Sequence, residues 1–168
     1  MSRRLARETA LQVLFQRDLA KEPMITSEEV QRWAQEFGVP EASRGFAQEL
    51  VDGTLAHLAE IDQLIASLAQ DWTISRMANV DRNVIRLAAY EVLFREDIPG
   101  RVSLNEAIEL AKRFGGVESA KFVNGVLDRV VDSATKTKRK EDVLHAQADS
   151  LCDSLDEETN SSKTQGND

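Results

Sequence analysis

The segment from Asp81 to Phe94 constrains the fold more than any other, because it is apolar on almost every side of a helix. After its first residue, the polar or partly polar exceptions are Arg82, Asn83, Arg86, Tyr90 and Glu91. A helix of this composition is stable only where other elements cover it from several sides. The chain has 168 residues, 42% of them hydrophobic, which is enough for such a core in one domain. The sequence therefore predicts a buried central helix.

The other segments predict amphipathic helices, in which apolar side chains recur every three to four residues. Thr26 and Glu29 form a candidate capping box, and Ser103 and Glu106 form another. The predicted helices cover residues 4–20, 26–37, 41–70 with a candidate break at Gly53, 81–94, a segment from the second capping box to Gly115-Gly116, and a last one with the apolar stripe Val123, Val126, Leu127 and Val130. Because no alternating strand pattern is present, the predicted fold class is all-α.

Two of these helices are similar in sequence. The segment from Arg7 to Phe15 matches the segment from Arg86 to Phe94 at its Arg, Ala, Val, Leu and Phe positions. Either two buried helices draw on the same few residue types, or each helix is the centre of its own small bundle.

Charge is distributed unevenly along the chain, whose formal net charge is -8. Residues 1–21 are basic, with only Glu8 and Asp18 opposing the arginines and lysine, whereas the chain is acidic from Asp149 onward. This asymmetry indicates a charged partner for the basic end. Residues 133–168 are polar and acidic, and we expect a disordered tail there, with an optional short helix at 143–155, after a folded domain of residues 1–132.

Sequence features also indicate the compartment and the absence of catalysis. The single cysteine, Cys152, excludes an internal disulfide, and no segment has the apolar character of a membrane span or a signal peptide. We therefore expect a cytoplasmic protein. There is no glycine-rich phosphate loop and no Gly-x-Ser-x-Gly motif. The two histidines, His57 and His145, do not have the spacing of metal ligands with Cys152, and we expect His57 to be a surface or boundary residue. We expect no catalytic residue, metal or cofactor.

Three segments together resemble one protein family. They are residues 3–15 (RRLARETALQVLF), residues 81–94 (DRNVIRLAAYEVLF), and a third group made of Ile98-Pro99, residues 105–112 (NEAIELAK) and residues 121–128 (KFVNGVLD). They resemble the NusB family of transcription antitermination factors, and the resemblance covers residues 3 to about 130.

The resemblance implies about seven helices in two small packed bundles and a function without a cofactor. It implies that the chain binds the boxA element of ribosomal RNA leader transcripts together with NusE, a small-subunit ribosomal protein. This complex would join RNA polymerase and promote processive transcription of rRNA operons. Some family members form homodimers, so a homodimer is left open.

Arg3, Arg4 and Arg7 are the main predicted RNA contacts. Guanidinium groups offer forked donors that suit phosphates, and on a helix these three lie on one side. The alternative is an ordinary basic helix start, which the helix dipole disfavours.

Phe122 lies at the edge of the core stripe of its helix. From the residues alone, stacking on an unpaired base and packing at the rim of the core fit this position equally well, and the resemblance favours the RNA contact. Lys121 and Asn124, close to it on the same helix, are further predicted RNA contacts. Gly125 predicts a close approach by a neighbouring backbone.

The resemblance adds two residues and some departures. It places Phe15 on the RNA surface, where a tyrosine is common in the family, and Asp81 on the NusE surface, although the residue pattern alone makes Asp81 a helix N-cap. Leu5 stands where a third arginine is frequent. Glu118, just before the last helix, is expected to limit RNA affinity.

Two other interpretations compete with this one. A helical protein–protein adaptor without specific RNA binding predicts no loss of function when Arg3, Arg4 and Arg7 are changed. One rRNA cytosine methyltransferase also carries a similar N-terminal domain, but we expect this chain to be too short for a catalytic domain.

Overall fold

Every regular element in the described part of the chain is helical. The computed structural model describes residues 2–22 and 24–161, with side chains described through residue 148. These ranges contain seven α-helices and no strand, and none of the helices is both long and apolar enough to cross a membrane. The elements are α1 (Ser2–Ala20), α2 (Ser27–Glu36), α3 (Glu41–Ala56), α4 (Leu58–Leu68), a 3-10 turn (Ile74–Arg76), α5 (Asn79–Phe94), α6 (Gly100–Gly115) and α7 (Val117–Ser161). The all-α prediction is confirmed.

Helices α1, α2 and α3 pack against one another as a first bundle. The capping box of α2 is present: the Thr26 hydroxyl accepts from the Glu29 N–H, and the Glu29 carboxylate accepts from the Thr26 N–H at 2.8 Å. The small core of this bundle consists of Ala6, Ala34, Val39 and Ala47. Such small side chains let the helices approach closely, and Phe46 of α3 packs at the edge of this core.

Helix α5 is the buried central helix that the sequence predicted. It packs against α1, α3, α4 and α6, and its apolar side chains lie in the main core of the protein. The same core receives Val123, Val126, Leu127 and Val130 from α7, which confirms the predicted stripe. The second bundle is thus built around α5, just as the first contains α1.

The break between α3 and α4 falls at His57, so the predicted break at Gly53 is wrong. Gly53 lies inside α3, where the ring of Tyr90 on α5 packs so closely that a Cβ would overlap it. The missing side chain therefore allows α3 and α5 to approach. His57 is half-buried, and its ring stacks on Phe94 with the centroids 3.8 Å apart, as expected for a boundary residue.

We predict that Gly53→Ala lowers the free energy of unfolding by about 1–3 kcal/mol, because Tyr90 must move to make room. Gly45→Ala is the matched control in the same helix, since nothing lies within 4 Å of the added Cβ. The control should gain up to about 1 kcal/mol from helix propensity. Urea denaturation followed by circular dichroism measures both, and equal effects would contradict the packing role of Gly53.

Helix α6 begins one turn earlier than predicted, at Gly100 after Pro99. The predicted capping box of Ser103 and Glu106 is therefore wrong, because both residues lie inside the helix. The proline, with its fixed φ, precedes the helix without a side-chain cap. The end of α6 is as predicted: Gly116 adopts a φ of +93° there, a conformation that glycine adopts without strain.

Helix α7 differs from the prediction in two ways. Residues up to Val131 form one compact unit and those from Asp132 a second, yet the segment predicted as a disordered tail continues as helix through Ser161. Residues 133–161 contain no glycine or proline to interrupt it. Residues 136–148 are exposed throughout, and residues 162–168 lie outside the described part of the chain. At Gly125, the predicted close approach is wrong, because no described atom lies within 4 Å of the place that a Cβ would take.

Asp18 connects the end of α1 to the beginning of α5. Its carboxylate accepts hydrogen bonds from Arg82 at 2.8 Å and Asn83 at 2.9 Å, and it lies 3.6 Å from Arg86. Partial burial alone would raise its pKa. The hydrogen bonds from Asn83 and Arg82, with the charges of Arg82 and Arg86, outweigh burial and hold the pKa of Asp18 below its ordinary value.

We predict that this contact makes stability depend on pH in the acid range. A carboxylate with a lowered folded-state pKa stabilises the protein above its ordinary pKa, and this contribution is lost as the pH falls through the folded pKa. Thermal unfolding should therefore show a loss of stability below about pH 4 that is smaller in Asp18→Asn. An identical pH dependence in both proteins would contradict the prediction.

Candidate nucleic-acid interface

The first two turns of α1 carry Arg3, Arg4 and Arg7, which we call the basic corner. Arg7 is its buried member, with 4% of its surface exposed. Its guanidinium group donates to both carboxylate oxygens of Glu91 on α5, at 2.7 and 2.9 Å. Ser103 of α6 donates to the same carboxylate at 2.8 Å. A buried ion pair is tolerated when its geometry is bidentate and its remaining acceptors are satisfied, as they are here.

The structure thus differs from the expectation that Arg7 is an exposed phosphate contact like its neighbours. Its guanidinium donors are directed at Glu91 inside the core. A direct contact between Arg7 and RNA stays a prediction, and the burial of Arg7 leaves little of its surface for such a contact.

We predict that Glu91→Met lowers the free energy of unfolding by about 3–5 kcal/mol, because it leaves the Arg7 charge buried and unpaired. The double variant Arg7→Met/Glu91→Met removes both charges and should retain most of the wild-type stability. Chemical denaturation of the two variants measures the difference. A single variant as stable as the double variant would contradict the structural importance of the pair.

Arg3 is exposed and lies over the ring of Phe46, with its guanidinium carbon 5.0 Å from the ring centroid. The guanidinium carbons of Arg7 and Arg95 lie 5.3 and 5.5 Å from the same centroid. Cations near an aromatic ring are attracted by its quadrupole, so Phe46 gathers these three side chains. Asp97 and Glu49 also accept hydrogen bonds from Arg95 and raise its pKa.

Arg3 has no such partner. Among the described residues, no carboxylate forms an ion pair with it, so its donors are open to solvent.

Arg4 is 51% exposed and forms a bidentate pair with Glu106 of α6, with both distances 2.9 Å. The hydrogen bond and charge of Arg4 lower the pKa of Glu106, and Glu106 in turn raises the pKa of Arg4. Both groups are therefore charged at neutral pH. Because ion pairs at the surface contribute little free energy, a phosphate can replace Glu106 at small cost.

The predicted contacts on α7 lie in a different environment. Lys121 is exposed, with its Nζ 3.4 Å from a carboxylate oxygen of Glu118, and Asn124 is also exposed. Phe122 is half-buried against the main core and meets Trp72, with ring centroids 5.8 Å apart and planes at 74°. Both interpretations of Phe122 are thus compatible with its position, since it packs at the rim of the core and borders an exposed aromatic ring.

Phe15 and Asp81 complete the predicted set. Phe15 is half-buried, two turns after Arg7 on α1. Asp81 lies in the first turn of α5, whose N-cap is Ala78, so its interpretation as the N-cap is wrong. Its side chain is buried, and Oδ1 has no hydrogen-bond partner among the described residues.

The structure therefore places Arg3 and Arg7 at the ring of Phe46, and it pairs Arg4 with Glu106 and Arg7 with Glu91. It also brings Phe122 to Trp72. Sequence reasoning missed Glu91, Glu106, Phe46 and Trp72 as parts of these groups. One signal was available: a glutamate within an almost wholly apolar helix needs a buried cationic partner.

The model of the NusB family matches residues 4–132. The chain belongs to the NusB family. The transcription antitermination protein NusB of Desulfitobacterium hafniense (strain DSM 10664 / DCB-2) is 58% identical over 140 residues, which are 83% of this chain and 95% of that protein. The NusB family consists of transcription antitermination factors and not of enzymes, in agreement with the sequence-based prediction.

Solved NusB structures share the fold. T. maritima NusB is 36% identical with a TM-score of 0.69, and the match covers 83% of this chain and 96% of that chain. A crystal structure of the antitermination factors NusB and NusE in complex with dsRNA contains a chain that is 31% identical, with a TM-score of 0.69, over 79% of this chain and 97% of that chain.

Proposed function

We propose that this NusB-family chain is an antitermination factor that binds the boxA element of rRNA operon transcripts together with NusE, and joins the RNA polymerase antitermination complex in the cytoplasm. The observation that carries the proposal is the basic corner. An acidic protein places two accessible guanidinium groups, Arg3 and Arg4, side by side at one helix end. The solved complex of NusB and NusE with dsRNA supports the choice of partners.

Arg3 and Arg4 are the proposed phosphate contacts. Arg3 offers donors that no described carboxylate occupies, and Arg4 exchanges Glu106 for a phosphate. Arg7 is assigned a positioning role, because its ion pair with Glu91 fixes the turn of α1 from which the other two project. Lys121 and Asn124 are proposed as exposed polar contacts on α7, with Phe122 and Phe15 as aromatic ones.

Asp81 is the proposed contact with NusE. A buried carboxylate oxygen without a hydrogen bond is energetically costly, and a donor from a partner protein would satisfy Oδ1 once the side chains that cover it move on binding. The position of Asp81 in the first turn of α5 also stabilises its negative charge through the helix dipole.

The test is the salt dependence of binding to a labelled single-stranded boxA RNA and to a scrambled RNA, with and without NusE. For Arg3→Ala/Arg4→Ala, the log–log slope should be shallower by about 1.4, since each lost phosphate contact contributes about 0.7. Lys21→Ala/Arg32→Ala removes two cations elsewhere and is the matched control, with an unchanged slope.

If the wild type binds NusE but prefers neither RNA, the chain is a protein–protein adaptor and the proposal fails. If the wild type prefers boxA RNA and the Arg3/Arg4 variant binds like the control, the basic corner is not the interface.

We predict that Glu106→Gln strengthens RNA binding by up to about fivefold, because Arg4 no longer has to leave a carboxylate. Fluorescence anisotropy with labelled boxA RNA measures the change. In the Arg4→Ala background, the same substitution should have no such effect. Weaker binding by Glu106→Gln would show that Glu106 orients Arg4 for RNA and does not compete for it.

A further inference from the structure

Trp72, in the segment between α4 and the 3-10 turn, is 54% exposed. Exposing an indole ring to water is unfavourable, and large aromatic side chains are typical of binding surfaces. Phe122 touches Trp72 with the two ring planes at 74°, so the pair is not stacked. About half of the Trp72 surface is therefore left accessible to a partner.

Helix α7 holds this segment in place. The Nη1 of Arg129 donates to the carbonyl oxygen of Leu68 at 2.7 Å, in the last turn of α4. Carbonyls at a helix C-terminus lack partners in their own helix, and a cation is favourable there. Phe122 and Arg129 lie two turns apart on the same face of α7, so both fix the chain that carries Trp72.

The surroundings of this aromatic pair favour a nucleic-acid partner. Lys121, adjacent to Phe122, and Arg76, four residues after Trp72, are exposed cations. Two exposed carboxylates oppose them: Glu118, 3.4 Å from the Lys121 Nζ, and Asp71, adjacent to Trp72 in sequence. One turn after Phe122, Gly125 leaves the surface of α7 open, with nothing described within 4 Å of a Cβ position. A glycine inside a helix is unfavourable, and here no internal contact requires it. The open position suits close approach by a partner from outside.

We infer that Trp72 stacks on an unpaired base of single-stranded RNA, with Phe122 packed against the indole ring. Base stacking requires an accessible aromatic ring and a nearby cation for the phosphate, and both are present here. This inference rests on the proposed function and extends the RNA surface to the segment after α4.

Tryptophan fluorescence tests the contact directly, because the chain has two tryptophans. In Trp33→Phe, the emission comes from Trp72 alone, and titration with single-stranded boxA RNA should quench it. In Trp72→Phe, the emission comes from Trp33, which is half-buried beside Phe37, and RNA should leave it unchanged. Circular dichroism verifies that both variants are folded.

Affinity supplies a second readout. Trp72→Leu should weaken RNA binding about 5- to 150-fold, while Trp72→Phe, which keeps an aromatic face, should retain most of the affinity. Gly125→Leu should weaken binding without lowering the melting temperature. If Trp72→Leu lowers the melting temperature and leaves RNA affinity unchanged, Trp72 is only structural and the inference is wrong.

The two proposals fail in different ways. If boxA RNA binds through Arg3 and Arg4 but does not quench Trp72, only the stacking inference is overturned. If NusE alone quenches Trp72 and RNA does not, the exposed ring belongs to a protein interface. If the wild type shows no preference for boxA RNA, the proposed function itself fails.

Discussion

The buried ion pair between Arg7 and Glu91 is the interaction on which the rest of this structure depends. It connects α1 to the central helix α5, and through Ser103 it includes α6. Because a charge in the core is tolerated only with its partner in place, the pair specifies how α1 lies on α5. This orientation places Arg3 over Phe46 and Arg4 opposite Glu106. The same contact thus organises the core and the surface that we assign to RNA.

This arrangement explains how a protein with a net charge of -8 can present a site for a polyanion. Acidic groups near the basic corner are bound to arginines: Glu91 to Arg7, Glu106 to Arg4, and Asp97 to Arg95. Arg3 lies over an aromatic ring, and no described carboxylate forms an ion pair with it, although the pKa of Asp97, lowered mainly by the hydrogen bond from Arg95, is also lowered by the charge of Arg3. Local pairing, and not overall charge, therefore decides where phosphate can bind. The carboxylate of Glu106 limits affinity without preventing binding.

The sequence was sufficient for the elements whose signals are local, and insufficient where the partner is distant in sequence. Helical periodicity predicted the buried α5 and the stripe on α7, and Thr26 with Glu29 predicted the start of α2. Ser103 and Glu106 have the spacing of a capping box, but their partners are Glu91 and Arg4, which the folded chain brings to them. A glycine within a helix suggests a break, so Gly53 was predicted as one. The sequence does not show the contact with Tyr90 of α5 that explains the glycine at this position. The spacing of Arg3, Arg4 and Arg7 likewise suggested one group of three equivalent residues. The fold shows that Arg7 is buried and that Arg3 and Arg4 are accessible.

The central claim is that Arg3 and Arg4 contact phosphates, whereas Arg7 positions them. The most direct test is to measure RNA binding by a folded variant that lacks the Arg7 charge. In Arg7→Met/Glu91→Met, the core pair is replaced by apolar side chains, while Arg3 and Arg4 remain. We expect its affinity for boxA RNA to fall, because the pair no longer holds the turn of α1 that carries Arg3 and Arg4, while the log–log slope stays that of the wild type, because both phosphate contacts remain. A slope shallower by about 0.7 in a variant of native helical content would show that Arg7 itself contacts a phosphate, and would contradict its assignment as a positioning residue.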